Sequence, residues 1–172
     1  MILGLDVSTS IVGATILDGD KIVLCEAWNL KKLTSIFEKA EFIKNRIDSL
    51  PTGIKYVFVE QPFTFFRSGG SSAKTMAKLQ SFNGIVSWMC YDLLKLTPEY
   101  LTASQARKSC GIHIPRGVNA KKAVIDFLLT SDHNFDIKYT RYGNPAPGEN
   151  DRADSFIVAK AGQNTCQKEL KN

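Results

Sequence analysis

Histidine is scarce in this 172-residue chain, with only His113 and His133, and its four cysteines show no C-x-x-C spacing. A structural zinc site takes four Cys or His ligands, grouped at short spacings, so a zinc site is not expected. Cys25, Cys90, Cys110 and Cys166 are scattered rather than paired, and reduced thiols are expected instead of a disulfide framework. No apolar run approaches the roughly 20 residues of a membrane-spanning helix. The start, Met1-Ile2-Leu3-Gly4, has no basic leader segment and meets Asp6 early. A signal peptide is therefore not expected, and a cytoplasmic protein without membrane contact is. There is no internal repeat. What remains is an ordinary globular composition, 44% hydrophobic, long enough for one core and short for two. A single domain over 1–163, followed by a polar tail over 164–172, is the expectation.

Acidic residues are nearly missing from the middle of the chain. Between Gln61 and Lys122 only Asp92 and Glu99 stand against nine basic residues. Lys74 and Lys95 suit an ordinary solvated helix face. The clustering at Arg107-Lys108 and from Arg116 to Lys122 fits a polyanion surface better.

The apolar pattern orders the elements. Residues 2–7 and 11–17 are expected as strands, and Asp18-Gly19-Asp20-Lys21 as the hairpin turn leading to a third strand over 22–28. Apolar residues from Leu33 to Leu50 recur at helical spacing, predicting a helix over 31–49 that Pro51-Thr52-Gly53 stops. A fourth strand over 55–60 follows, then a loop over 61–71 holding Phe63, Phe65, Phe66, Arg67 and Gly69-Gly70. A long helix over 72–94 and a short strand over 100–102 come next. Ser104 and Asn119 are expected to cap two further helices, the second running to Leu129. Asn150 is expected to cap a last helix over 151–161, closed by Gly162. Hairpins first and alternation afterwards define an α/β protein, a five-stranded mixed sheet flanked by helices. If the first three strands form an antiparallel meander, the first strand lies beside the fourth.

Four acids then stand out. Asp6 interrupts the run Ile2-Leu3-Gly4-Leu5-Asp6-Val7, and Glu60 ends Tyr56-Val57-Phe58-Val59-Glu60. Asp, and less strongly Glu, is depleted in strands, and an unpaired buried charge is costly. Asp151 and Asp154, three apart, share one helix face near an N-terminus that favours negative charge. Two carboxylates about 4 Å apart repel by roughly 4 kcal/mol at an effective dielectric near 20. A hard divalent cation turns that repulsion into coordination.

The segments Ile2-Leu3-Gly4-Leu5-Asp6-Val7-Ser8, Val59-Glu60-Gln61-Pro62-Phe63 and Asp151-Arg152-Ala153-Asp154-Ser155 resemble, in order and spacing, the RuvC family of Holliday-junction resolvases. The resemblance implies a ribonuclease H-like fold and a Mg²⁺-dependent structure-selective endonuclease. It implies that Asp6, Glu60, Asp151 and Asp154 hold two Mg²⁺ ions, with Mn²⁺ able to substitute. Lys121 takes the place of an active-site lysine, with Lys122 as the competing assignment. Lys108 is a weaker match to a second family lysine. Phe63 corresponds to the aromatic residue that stacks at the junction centre. Arg67, Lys74, Lys78, Arg107, Lys108, Arg116 and Lys122 are the expected DNA contacts. Branched DNA, above all the four-way junction, is the expected partner. A homodimer is expected too, with Met76, Leu79, Phe82, Val86 and Met89 of the long helix either at its interface or packed on the sheet. Ser8-Thr9-Ser10 departs from the Pro-Gly-Ser turn common after the family's first acid.

Three other readings use the same residues. A ribonuclease H-like RNA-processing nuclease would share the acids but have less use for the phenylalanine loop. The start Leu3-Gly4-Leu5-Asp6-Val7-Ser8-Thr9-Ser10 is also similar to sugar kinases and actin-like ATPases, whose second half this chain has no room for. A non-catalytic junction-binding protein would bind without Mg²⁺-dependent cleavage.

Overall fold

The computed structural model describes residues 1–62, 73–131 and 135–169. Phe63, Phe65, Phe66 and Arg67 lie outside them. Among the described residues, β1 (Ile2–Val7), β2 (Ile11–Asp18), β3 (Lys21–Asn29), β4 (Tyr56–Glu60) and β5 (Glu99–Leu101) form one sheet in the order β3-β2-β1-β4-β5. The first three strands are an antiparallel meander, and β4 and β5 add in parallel. The expected neighbours β1 and β4 therefore do pair.

Side-chain alternation along the strands divides the core in two. Leu3, Leu5, Val7, Val57 and Val59 face one layer, which α1 (Ile36–Asp48) and α2 (Ala73–Leu94) cover. Ile2 and Phe58 face the other, under α3 (Ala103–Ser109), α4 (Ala120–Thr130) and α5 (Glu149–Glu169). Asp6 and Glu60 continue the second set. Leu5 pairs with Val59, so the next residues along these parallel strands, the two acids, are neighbours on the α5 side.

Two glycines let α5 lie directly on the sheet. A Cβ at Gly4 would collide with the backbone of Ser155 and Ala159, and one at Gly13 with the Asp151 carbonyl. Only glycine permits that approach. The contact is pinned by the buried hydroxyls of Thr15 and Ser155, 2.8 Å apart. Arg152 fastens the first turn of the helix. Its Nε donates to the Cys25 carbonyl of β3, and its guanidinium pairs with Glu149 and Asp136 at 2.7 and 2.9 Å.

Several expected boundaries move for identifiable reasons. The first helix begins at Ile36 rather than residue 31, because Ser35 and Glu38 form a capping box. α3 is capped by Thr102 with Gln105, two residues ahead of the expected Ser104. Asn119 caps α4 as expected. The last helix starts at Glu149, before Asn150, and does not stop at Gly162. That glycine lies against the Phe58 ring, where a side chain would overlap it, and the helix continues to Glu169. Asn164, expected in a tail, donates to the Ser109 carbonyl at 3.0 Å.

Gly13→Ala should lower unfolding stability in urea by about 1–3 kcal/mol, the usual cost of overpacking. Gly84, which has open space around it in mid-helix, provides the contrast: Gly84→Ala should raise stability by about 1 kcal/mol through helix propensity alone. Equal effects of the two substitutions would contradict the packing described.

Candidate active site

The carboxylates of Asp6, Glu60, Asp151 and Asp154 form one electrostatic unit at the edge of the sheet where β1 and β4 end. Asp6 and Glu60 come from these adjacent strands. Asp151 and Asp154 come from the first turns of α5, which Gly4 and Gly13 admit against β1 and β2. Asn83 of α2 is buried and donates to the Glu60 carbonyl at 3.2 Å. The Gln61 amide donates to the Leu101 carbonyl at 2.8 Å. These two bonds hold the end of β4 in place.

All four acids are pushed towards their neutral forms. Burial, then the charges of Glu60, Asp154 and Asp151, raise the Asp6 carboxyl well above the usual carboxylate range. Burial and Asp154 push Glu60 up to about 7, against the pull of Arg107 and Lys121. Asp154 rises to about 6 through burial, with Lys121 and Arg107 opposing. Burial also raises Asp151, while Lys121, its own backbone N–H and Lys31 draw it down. None of the four has an ion-pair partner among the described residues. Structural carboxylates are normally paired when buried, as Glu149 is with Arg152.

The donor set is all-oxygen and anionic, which suits a hard divalent cation such as Mg²⁺. Among the described residues, no three of these side chains already stand close enough together to make a complete ligand set. Like charges in a desolvated corner repel one another, and a cation would have to draw these side chains together.

Two cations face the acids. Lys121, exposed in the first turn of α4, acts on all four carboxylates; Lys122 acts on none of them. The sequence puts Arg107 among general DNA contacts and Lys108 at the second family lysine. The structure places Arg107, half-buried in α3, against Glu60 and Asp154, while Lys108 points to solvent. Helical spacing from the Thr102 cap could have revealed this, since 107 and 108 lie on different faces. Lys74, Lys78 and Arg116 are exposed. Phe63 and Arg67 fall outside the described residues.

A cleft of about 680 Å³ opens elsewhere, along the β3 edge, lined by Trp28, Phe42, Arg46 and Arg152 among others. Its arginines are already committed, Arg46 to Glu26 and Arg152 to Glu149 and Asp136. It contains none of the four acids.

This sheet order, with helices on both faces, is that of a ribonuclease H-like α/β fold. No protein-family model matches the chain, and no curated protein matches it in sequence. Solved structures do match. Thermus thermophilus RuvC in complex with a Holliday junction substrate superposes with a TM-score of 0.67 at 15% identity, covering 97% of this chain and 94% of that one. A second Thermus thermophilus RuvC structure gives 0.62 at 15% identity, covering 98% and 96%. The yeast mitochondrial Holliday junction resolvase gives 0.65 at 13% identity, covering 99% of this chain and 80% of its own. The chain thus shares the RuvC fold over nearly its whole length.

The raised pKa values make a prediction about the metal-free protein. A fold that raises a carboxyl pKa binds protons more tightly than the unfolded chain. Its stability therefore falls as pH climbs, for Glu60 from its ordinary 4.5 through about 7. Thermal melting in EDTA should occur at a higher temperature at pH 5 than at pH 8. Asp6→Asn should stabilise the protein at pH 8 by roughly 1–3 kcal/mol. Melting that is flat across this range, or destabilisation by Asp6→Asn, would contradict a shared, unpaired acid cluster.

Proposed function

We propose that this protein is a structure-selective endonuclease that cuts four-way DNA junctions, and that the acid pocket is its active site. The observation that carries this reading is the convergence of four unpaired carboxylates from β1, β4 and α5 beside Lys121 and Arg107. The RuvC fold, seen in one relative with a Holliday junction bound, supports the choice of substrate.

In this reading Asp6, Glu60, Asp151 and Asp154 hold two divalent cations, Mg²⁺ or Mn²⁺. Bound there, the metal supplies charge that activates water and stabilises the leaving oxygen of an in-line phosphodiester hydrolysis. The chain supplies the rest. Lys121 and Arg107 offset negative charge growing on the attacked phosphate, a contribution worth most in a water-poor site. Asn83 and the Gln61 amide fix Glu60 against recoil. The products carry a 5′ phosphate and a 3′ hydroxyl. Lys74, Lys78, Lys108, Arg116 and Lys122, with Phe63 and Arg67, are the proposed outer contacts. Backbone contacts position without reading sequence, so affinity should fall steeply with salt.

Paired cuts across a symmetric junction need two sites, hence a two-fold dimer. Phe82, Val86 and Met89 do not serve it, because all three are buried in the core. The outward face of α2 instead shows Trp88 and Tyr91, 61% and 56% exposed, and it is the proposed interface. Sedimentation should give a dimer for the wild type and a monomer for Trp88→Arg; a dimer in both would place the interface elsewhere.

Cleavage of an end-labelled four-way junction with Mg²⁺ tests the main reading. Asp154→Asn should lose at least about 10²-fold in rate, the scale of removing a preorganised charge, while still binding the junction. Lys121→Ala should lose rate with little change in binding. Undiminished cutting by Asp154→Asn, or preference for an RNA–DNA hybrid over the junction, would overturn the assignment.

A further inference from the structure

The surface on the β3 side of the acid pocket has features that the proposed mechanism does not use. β3 runs parallel to β1, because each is antiparallel to β2, so its end at Asn29 reaches the same sheet edge as Asp6. The chain then makes a short turn that is stapled to the loop after Asp6. The Leu30 amide donates to the Ser10 carbonyl at 2.8 Å, and the Leu33 amide to the Leu30 carbonyl at 3.0 Å. The Asn29 side chain accepts from the Lys31 amide at 3.0 Å. Lys39 of α1 donates to the Thr9 carbonyl at 2.6 Å. These bonds tie the turn to the loop that follows Asp6, at the end of the sheet that carries the acids.

Two consecutive lysines, Lys31 and Lys32, project from it. Both are exposed, and neither has an ion-pair partner among the described residues. The acids nearest in sequence are committed elsewhere, Glu26 to Arg46 and Glu38 to the amides of Thr34 and Ser35. Lys31 is close enough to Asp151 to favour its anion. Five residues after Lys32, Phe37 stands 80% exposed in the first turn of α1. A phenylalanine so placed gains nothing from the core, and its siblings in this helix, Ile43 and Ile47, are fully buried.

We propose that Lys31, Lys32 and Phe37 form a second DNA-contact bank, across the acid pocket from Arg107 and Lys121. This rests on the endonuclease reading above. Sheet order supplies the geometry: the acids lie on the central strands β1 and β4, Arg107 follows β5 at one end, and Lys31 follows β3 at the other. A strand crossing the pocket passes from one positive bank to the other. The lysines hold phosphates of the arm leaving the site, and the Phe37 ring stacks on a base or sugar exposed where the arms part. Charge selects the occupant, since an unpaired basic pair beside a phosphodiester site suits nucleic acid better than a second copy of a basic protein.

Binding of a fluorescent four-way junction, measured in EDTA from 50 to 200 mM salt, tests the proposal. Each duplex phosphate contact adds about 0.9 to the slope of log affinity against log salt. Lys31→Ala/Lys32→Ala should therefore lower that slope by about 1–2. Phe37→Ala should weaken binding about 5-fold or more, the lower range for base–aromatic stacking, with the slope unchanged. Lys21→Ala/Lys55→Ala, which removes two exposed lysines from the opposite sheet edge, should leave the slope at the wild-type value. An unchanged slope in the Lys31/Lys32 variant, or one matched by the control, overturns the proposal. So does a Phe37→Ala variant that alters self-association but not affinity. A folded wild type that neither binds nor cuts the junction removes the endonuclease reading as well; one that binds and cuts confines the failure to this bank.

Discussion

The close contact between α5 and the sheet is the constraint on which the remaining structure depends. Gly4 and Gly13 bring the helix backbone onto β1 and β2, and Gly162 lets it pass the Phe58 ring. With side chains at these points the helix would stand off by the width of a methyl group or more. Asp151 and Asp154 would then be lifted away from Asp6 and Glu60. The fold accepts a costly arrangement in return, because four carboxylates share a poorly hydrated corner, where Glu60, Asp151 and Asp154 each raise the proton affinity of a neighbouring acid. Such an arrangement persists only when packing elsewhere overdetermines it. Here the packing is two apolar layers on either side of the sheet, with the buried Thr15–Ser155 hydroxyl pair at the point of contact.

Arginine and lysine divide their work accordingly. Arg152 and Arg46 are structural: each is paired with carboxylates and lies over an aromatic ring, Phe135 and Trp28 respectively. Arg152 sits between the two site aspartates in sequence yet turns to β3, clamping the turn that carries them. Lys121 and Arg107 face the acids without satisfying them as ion pairs. That leaves both cations available to a phosphate and the carboxylates available to metal. A protein built only for stability would have closed those pairs.

Much of this was legible in the residues because charge inside an apolar strand has few explanations. Asp6 and Glu60 announce themselves by interrupting alternation, and the meander of the first three strands places β1 beside β4. The less legible features depend on tertiary contact. Gly162 reads as a helix stop, yet it is a point of close packing that only Phe58 reveals. Met76, Leu79, Phe82, Val86 and Met89 recur at helical spacing, which describes a packed face as well as an interface. Burial shows that Phe82, Val86 and Met89 belong to the core, and Trp88 and Tyr91 to the surface. Arg107 and Lys108 are adjacent in sequence but a helix separates them by about 100° (3.6 residues per turn), so only the cap position decides which one meets the acids. The β1–β2 turn, Ser8-Thr9-Ser10, lacks the proline and glycine of the family pattern; its shape is set by Ser8, whose hydroxyl accepts from the Ser10 and Ile11 amides.

The central claim is that chain folding creates one carboxylate pocket that takes up divalent metal, and calorimetric titration with Mn²⁺ near pH 6.5 tests it most directly. Because Glu60 and Asp154 hold protons into that range, metal uptake should release them, visible as a heat that varies with the ionisation enthalpy of the buffer. The wild type should show this linked uptake and Asp6→Asn should lose it. Uptake without proton release, or the same isotherm from both proteins, would contradict the account.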